Sequence, residues 1–540
     1  MRVGAEFMKY SLLIEKDDLL KLRLLLFIRQ QGDKAVFQDC LSNLNITQYK
    51  LRQLVNELDQ TDLKGNDQLP LYIKISNNEV SCKKFQFLEL RQLQLVFLQR
   101  SIYFHVFLRE SFDKKGEPLS DFLSAHFISR AKYYQIRVKL YSLLDEVCDL
   151  AKSDVIRIPQ ELLKRIKFTN VFYHFFGGIE KPFPELSMVT SKFISMVTMT
   201  LNRPVMPNEI SKLGMFFQVQ LMRINMKKYV DVDHLFRKRD TDSMKIIDGF
   251  YQGAVSLLDK TQLNSEVTYL YFFMISQGLI SENHLRYSNR VERYLMLGRK
   301  YYHLMLRRTH LLRTDYLTDS QIDRATKQLT SLSYWPIFFD FQTASMTMND
   351  FVSSDEPAIN QSSGSFTDLS ESFPDLKILA SKIAEYGLSL FHPNITQEFI
   401  GEVTYGVLTI LVGVIPKAAL IPVDICLGLD QDRASSGYIS ELLKKILPGN
   451  IHISSNITNA TDICISNVCD FNPKDVLLIP NFKPFQIDSF IDLEKTVCQI
   501  KFKKLKKLSQ NKARSLHNNV AETIKSGVDY QQEPRQLEEF

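Results

Sequence analysis

Apolar residues recur at helical spacing over most of this chain, and that periodicity limits its fold more than any other feature of the sequence. Residues 154–415 are helical in pattern, rich in Phe, Tyr, Leu and Met, and broken where Gly or Pro cluster. After Pro416 near-continuous apolar strands alternate with helix, which is typical of a small parallel α/β sheet. We therefore predict a mainly α chain that ends in a small α/β domain.

The N-terminal part of the chain predicts two helix-turn-helix units. In the first, three helical patterns precede two alternating strands joined by the turn signal Asn77-Asn78, as in a winged helix-turn-helix. In the second, further helices follow with less sign of a wing. The helical patterns lie at residues 11–31, 35–42, 47–60, 85–111, 119–127 and 129–150.

The length of 540 residues exceeds what one hydrophobic core usually organises, so we expect several domains. The predicted boundaries are 8–84 and 85–153 for the helix-turn-helix units, 154–258 and 259–415 for two helical bundles, 416–500 for the α/β domain and 501–540 for a polar tail. Within the second bundle, residues 343–374 are poor in large apolar side chains and predict a surface loop. The last helix of the α/β domain is predicted at 485–498.

Composition excludes several classes of protein. With 45% hydrophobic and 24% charged residues the chain can bury a core, which excludes wholesale disorder. Its seven cysteines are scattered and form no C-x-x-C pair, which favours a reducing cytosol without structural zinc. The most apolar window, Tyr405–Ile415, is much shorter than the roughly 20 residues that span a bilayer. We therefore expect a cytoplasmic protein that has no membrane span and binds no metal.

The helix at 129–150 is the strongest candidate for contact with DNA. Helical spacing from an N-cap at Ser129 places one set of side chains inward: Tyr133, Ile136, Leu140, Leu144 and Val147. A second set faces outward: Ala131, Tyr134, Gln135 and Val138, flanked by Arg130, Lys132, Arg137 and Lys139. No Asp or Glu occurs between Asp121 and Asp145, so nothing nearby in sequence neutralises these four cations. This pattern suits a recognition helix in the major groove, and the alternative is a solvated basic face.

The corresponding helix of the first unit, 47–60, gives a weaker signal. Its outward residues are Tyr49, Lys50, Arg52 and Gln53, and Glu57 and Asp59 then cancel the positive charge. This helix either adds phosphate contacts or only packs against the second unit.

Residues 285–314 form the most basic segment. They carry eight Arg and Lys residues against the single acid Glu292, an excess larger than the net charge of +6 of the whole chain. Such a segment predicts an acidic partner, which could be a regulatory phosphate, an acidic face of another domain or subunit, or nucleic acid. The alternative is an exposed basic face of an amphipathic helix.

Common catalytic motifs are missing from the sequence, including the P-loop, the dinucleotide-binding glycines, the nucleophile elbow and H-E-x-x-H. The loop Asp430–Gly437 joins a strand to a helix whose N-terminal amides could hold an anion. A calcium site is excluded there, because Ala434 and Ser435 occupy positions that need a carboxylate and Gly. We expect neither enzymatic activity nor a cofactor.

The order of these domains resembles the RofA-like branch of the Mga family, stand-alone regulators of adhesin, pilus and virulence genes in Gram-positive bacteria. The segment PLSDFLSAHFISRAKYYQIRVKLYSLL, at 118–144, is similar to the family's second helix-turn-helix, and VTYLYFFMI, at 267–275, is similar to part of its second bundle. The resemblance implies a transcription regulator that binds double-stranded DNA as a homodimer. It also implies that the bundles are phosphotransferase-regulation domains (PRDs), whose histidines receive phosphate from sugar-transport phosphocarrier proteins, and that the last domain is similar to the transporter subunit EIIB.

Two positions depart from that pattern. Asn225 stands where the first bundle of the family would carry a phospho-acceptor histidine. The loop Asp430–Gly437 lacks the phospho-cysteine of EIIB enzymes, and Cys426 lies inside the preceding strand. The candidate phosphorylation sites are therefore His303, His310 and His174, and His303 is preferred because four cations lie within about two helical turns of it.

Two other functions compete with transcription regulation. A phosphotransferase-system protein with phosphoryl-transfer activity would need a nucleophilic Cys or His in the loop Asp430–Gly437, and this loop contains neither. An RNA-binding antiterminator of the PRD type would need a small β module at the N-terminus, where this sequence is helical.

Overall fold

The computed structural model describes residues 10–59, 72–83, 87–112, 116, 118–150, 159–201, 204–239, 244–254, 258–338, 369–389, 397–428, 433–466, 476–479, 482–483 and 486–526. The fold is mainly helical with a small parallel sheet near the C-terminus, as predicted. The chain divides into two compact units, one of residues 1–291 with 337–359 and the other of 292–336 with 360–540. Among the described residues, no helix is long and apolar enough to cross a bilayer.

The first unit begins with three helices and a three-stranded antiparallel sheet. In chain order these are α1 (Lys16–Gln30), β1 (Lys34–Val36), α2 (Phe37–Leu44), α3 (Gln48–Glu57), β2 (Tyr72–Ser76) and β3 (Glu79–Lys83). The predicted strand pair forms the hairpin β2–β3, and both turn residues, Asn77 and Asn78, adopt the positive φ that a tight hairpin requires. Strand β1 was not predicted. It adds to the outer edge of β3, so the sheet order is β1-β3-β2.

Four helices follow: α4 (Phe87–Arg100), α5 (Ile102–Phe112), α6 (Leu119–Ala125) and α7 (Arg130–Leu150). The helical pattern at 85–111 is interrupted at Ser101. This residue is fully buried, and its hydroxyl accepts a hydrogen bond from the amide of Tyr103 at 3.2 Å, which caps the start of α5.

In the rest of the first unit, the residues that the structure describes form five α-helices and one short strand pair. These elements are α8 (Gln160–Phe176), α9 (Ser187–Leu201), α10 (Pro207–Asn225), β4 (Phe236–Lys238), α11 (Lys245–Ala254), α12 (Lys260–Ser276) and β5 (Leu285–Tyr287). The antiparallel pair β4–β5 was not predicted, because three residues are too few to show alternation.

One continuous hydrophobic core runs from Leu13 through the N-terminal helices to Val219 in α10. Aromatic side chains join its parts, as where the ring of Phe112 in α5 lies 4.9 Å from that of Phe168 in α8. Buried residues from each of the predicted segments 8–84, 85–153 and 154–258 therefore contribute to this core.

A buried ion pair places α12 in this unit as well. Arg165 of α8 and Glu266 of α12 are both fully buried, and their side chains form hydrogen bonds of 2.6 and 2.9 Å. Glu266 also accepts from Gln220 of α10 and from the amide of Val230. The three helices α8, α10 and α12 therefore meet around one satisfied charge pair.

The second unit contains a helical part and the α/β part. The helices are α13 (Asn289–Arg308), α14 (Asp319–Phe338), α15 (Leu369–Ser372), α16 (Pro374–Ser389) and α17 (Gln397–Val414). Within the predicted surface loop 343–374, residues 343–368 lie outside the described residues, and 369–372 are helical.

The α/β part has four parallel strands in the order β7-β6-β8-β9, in agreement with the predicted parallel sheet. Its elements are β6 (Pro422–Gly428), α18 (Arg433–Ile446), β7 (Asn450–Ser454), β8 (Ile463–Ser466), β9 (Leu477–Ile479) and α19 (Ile487–Ser526). The prediction that the last helix ends at Cys498 is wrong, and so the polar tail is partly helical. The helix continues because Lys501 and Leu505 are buried, and Lys501 Nζ donates to the carbonyl of Pro448 at 3.0 Å.

Candidate nucleic-acid interface

Helix α7 has the two faces that its helical spacing predicts. Its N-cap is Ser129, whose hydroxyl accepts a hydrogen bond from the amide of Lys132 at 3.2 Å. The buried face consists of Tyr133, Ile136 and Leu140, and the exposed face of Ala131, Tyr134, Gln135 and Val138. The side chains of Leu144 and Val147 lie outside the described residues.

The four predicted cations of α7 are not equivalent in the structure. Arg130, Lys132 and Lys139 are exposed, and the ammonium of Lys132 lies 5.5 Å from the ring of Tyr103. Arg137 is less exposed, and its Nε lies 3.2 Å from a carboxylate oxygen of Glu110 in α5. The charge of Arg137 is therefore neutralised by an acid that is distant in sequence.

Glu110 anchors α7 to α5. Its carboxylate accepts hydrogen bonds from the hydroxyls of Tyr133 and Tyr141, the latter at 2.9 Å. Burial, together with the adjacent Glu110 carboxylate, raises the pKa of Tyr133 to about 12, so this hydroxyl stays a donor. Sequence reasoning missed Glu110, because only the tertiary packing of α5 against α7 gives it this role.

The turn between α6 and α7 contains an exposed aromatic residue that the sequence analysis also missed. Phe127 is 95% exposed and its backbone has a φ of 51°. The amide of Phe127 donates to the carbonyl of Ser124 at 3.4 Å, and the amide of Ile128 donates to that of Leu123 at 3.1 Å. This pair of bonds is the Schellman motif, whose left-handed position is usually occupied by Gly.

The end of α5 also contacts α10. Arg223 donates to the carbonyl of Ser111 at 2.6 Å and forms two hydrogen bonds to Glu161 of α8, at 2.7 and 2.6 Å. Asn225, at the position of the expected phospho-acceptor, is the last residue of α10 and is exposed. The helix that supports α7 is therefore joined directly to the end of α10.

The candidate residues of α3 are largely held in local contacts. Tyr49 is 79% exposed, but Lys50 pairs with Asp17 at 2.8 Å. The guanidinium of Arg52 lies 5.2 Å from the ring of Phe37, and Gln53 donates to Glu57 at 2.7 Å. Of the two cations of α3, Lys50 is therefore paired with an acid, whereas Arg52 is exposed.

The candidate histidines lie in different surroundings. His174 of α8 is 3% exposed, and its ring lies beside the amide of Gln94. Burial, and secondly the charge of Arg91, lower the pKa of His174 to about 3. His303 in α13 is about one-third exposed, with Nε2 3.9 Å from a carboxylate oxygen of Asp323, and His310 follows the end of α13 with intermediate exposure.

Two arginines of the basic segment around α13 contact side chains of the same unit, and one of these side chains is an acid. Arg307 forms an ion pair with Asp319 of α14, and Arg313 donates to the hydroxyl of Tyr316 at 2.8 Å. Arg293 and Lys300 are exposed.

In the α/β part, Cys426 of β6 is buried beside Cys464 of β8, its partner in the strand register. Burial raises the pKa of the Cys426 thiol to about 11, which disfavours the nucleophilic thiolate. Residues 429–432 of the predicted anion-binding loop lie outside the described residues, and α18 begins at Arg433.

Neither the protein-family models nor the curated proteins that were searched match the chain.

Proposed function

We propose that this chain is a sequence-specific transcription regulator that binds double-stranded DNA through α7. The observation that carries the proposal is the outer face of α7, where Tyr134 and Gln135 lie exposed between Arg130, Lys132 and Lys139. On this proposal α6 and α7 form the second helix-turn-helix, and α2, α3 and the hairpin β2–β3 form the first, winged unit. The gene class suggested by the family resemblance is that of adhesins, pili and virulence factors.

The exposed residues of α7 have different roles in this proposal, according to their charge and contacts. Arg130, Lys132 and Lys139 contact phosphates, which supply most of the affinity and carry no base information. Tyr134 and Gln135 reach base edges, because they lie on the same face near the N-terminal end of the helix. Arg137 positions α7 through Glu110, since its charge is already paired.

The salt dependence of DNA binding tests this assignment. The duplex for these measurements is the site that footprinting identifies in the DNA upstream of the gene that encodes this chain. Replacing Arg130, Lys132 or Lys139 by Ala is expected to weaken binding to all duplexes and to reduce the slope of log K against log salt by about 0.9 for each phosphate that is no longer neutralised. Lys192→Ala removes an exposed cation from α9 and is the matched control. Unchanged slopes in all three α7 variants, or an equal reduction in the control, would refute the proposal.

Base readout has a separate test. Replacing both Tyr134 and Gln135 by Ala is expected to change the preferred sequence while leaving the salt slope intact, because neither side chain carries a charge. An identical footprint in the double variant would remove both residues from base readout.

The other parts of the chain are proposed to regulate this activity. The α/β part mediates self-association without phosphoryl transfer, since Cys426 is buried with a raised thiol pKa. Among the histidines His303 is the preferred phospho-acceptor, because His174 is closed to solvent. Incubation with phosphocarrier and phosphoenolpyruvate, followed by mapping of acid-labile phosphate, tests this. Label on His174 but not on His303 would refute the preference for His303. The role of the α/β part in self-association is tested separately by truncating the chain before Pro416, and a truncated chain that stays dimeric would refute that role.

A further inference from the structure

The turn that leads into α7 holds a side chain whose position the folded chain alone does not explain. Phe127 occupies the left-handed position of the Schellman motif that ends α6. An L-residue with a Cβ is strained at this φ, and Gly is the residue that adopts it freely. The Phe127 ring is 95% exposed, so it gains almost no burial in exchange. The stability of the folded chain therefore does not explain a phenylalanine at this position, since Gly would relieve the strain and little burial would be lost.

The place of Phe127 indicates what its ring contacts. It lies two residues before Ser129, the N-cap of α7, and three before Arg130. A recognition helix enters the major groove with its N-terminal end first, so the preceding turn reaches the groove together with that end. The apolar group that the major groove presents to a side chain is the C5-methyl of thymine.

We propose that Phe127 is a specificity-determining residue whose ring packs against the methyl group of a thymine at the edge of the recognition site. This inference rests on the proposed DNA-binding function. It adds a base preference that the polar residues of α7 do not supply.

The experiment replaces the side chain and the methyl group separately. Phe127→Gly removes the ring and relieves the strained backbone, so the variant is expected to unfold at no lower temperature than the wild type. The binding site found by footprinting is then synthesised with each thymine in turn replaced by deoxyuridine, which removes only the methyl group. Met199→Ala removes an exposed apolar side chain from α9 and is the matched control.

At one thymine, deoxyuridine is expected to weaken wild-type binding about fourfold, the effect of one buried methyl group. Phe127→Gly is expected to bind the thymine duplex about tenfold more weakly than the wild type and to be indifferent to the same replacement. The Met199→Ala variant keeps both the wild-type affinity and the response to deoxyuridine.

The outcomes separate this inference from the function on which it rests. If no duplex is bound at any salt concentration, the proposed function itself fails. If Arg130→Ala reduces the salt slope but Phe127→Gly binds as tightly as the wild type, the DNA-binding function stands and the role of Phe127 is overturned. If Phe127→Gly weakens binding but still loses affinity with deoxyuridine at the same position, the ring does not contact that methyl group, and the thymine assignment is overturned.

Discussion

His174 should make the stability of the first unit depend on pH. Because the imidazole is buried beside Gln94 and near the charge of Arg91, its pKa falls from the ordinary value of 6.5 to about 3. Below pH 6.5 His174 therefore binds a proton in the unfolded chain but stays neutral in the folded chain. Its contribution to the free energy of unfolding is full above pH 6.5 and is lost as the pH falls toward 3.

The size of this loss follows from the two pKa values. Each pH unit between them costs about 1.36 kcal/mol, so the penalty at pH 5 is about 2 kcal/mol relative to pH 7.5. At pH 5 the buried ring of the folded chain is therefore neutral, whereas the imidazole of the unfolded chain is mostly protonated.

Native-state hydrogen exchange of the α8 amides, corrected for the pH dependence of the intrinsic rates, measures the loss where it arises. His174→Gln cannot be protonated and keeps a polar group beside Gln94, so it is expected to lose about 2 kcal/mol less than the wild type between pH 7.5 and pH 5. His234→Gln, which removes an exposed imidazole, controls for the loss of one histidine. An equal pH dependence in the wild type and the His174 variant, or titration of the His174 ring above pH 5, would show that the reasoning is wrong.

Three further predictions concern stability. Glu266→Gln leaves the guanidinium of Arg165 buried without its main counter-charge and is expected to cost about 3 kcal/mol in urea denaturation, so an unchanged midpoint would contradict the buried pair. Gly449→Ala should lower the melting temperature, because Gly449 has a φ of 88° and an added Cβ would overlap the side chain of Lys501. Gly437→Ala in α18 is the control and should not lower it, because the space around Gly437 is open. Equal effects of the two substitutions would refute this account. Leu505→Ala is expected to cost about 3 kcal/mol by the same denaturation assay, and a negligible cost would mean that this part of α19 is not anchored.

Periodicity predicted the parts of the fold in which side chains of one kind repeat over several turns or strands. The small parallel sheet was predicted because buried strands are almost continuously apolar. The faces of α7 were predicted because Tyr133, Ile136 and Leu140 recur at helical spacing.

The features that sequence reasoning missed depend on packing between distant segments. Strand β1 exists because Lys34–Val36 meets the edge of β3, and nothing local distinguishes those residues. The helix α19 continues past its predicted end, and Lys501 lies on its buried face. The sequence did not reveal this continuation, because helical periodicity is recognised from apolar residues and this buried position holds a lysine.

The candidate site was predicted in part. Its exposed cations could be read from residue type and spacing. The pairing of Arg137 with Glu110 depends on tertiary contact, and so does the burial of His174.

The bond from Arg223 to the carbonyl of Ser111 has a consequence for the order in which the chain becomes complete during synthesis. The last carbonyls of a helix have no partner within that helix, and here the donor for one of them comes from 112 residues further along the chain. A nascent chain that ends before residue 223 lacks this donor, and one that ends before residue 215 also lacks the α10 side chains of the shared core. The support of α7 is therefore complete only when α10 has been made and has packed against the end of α5.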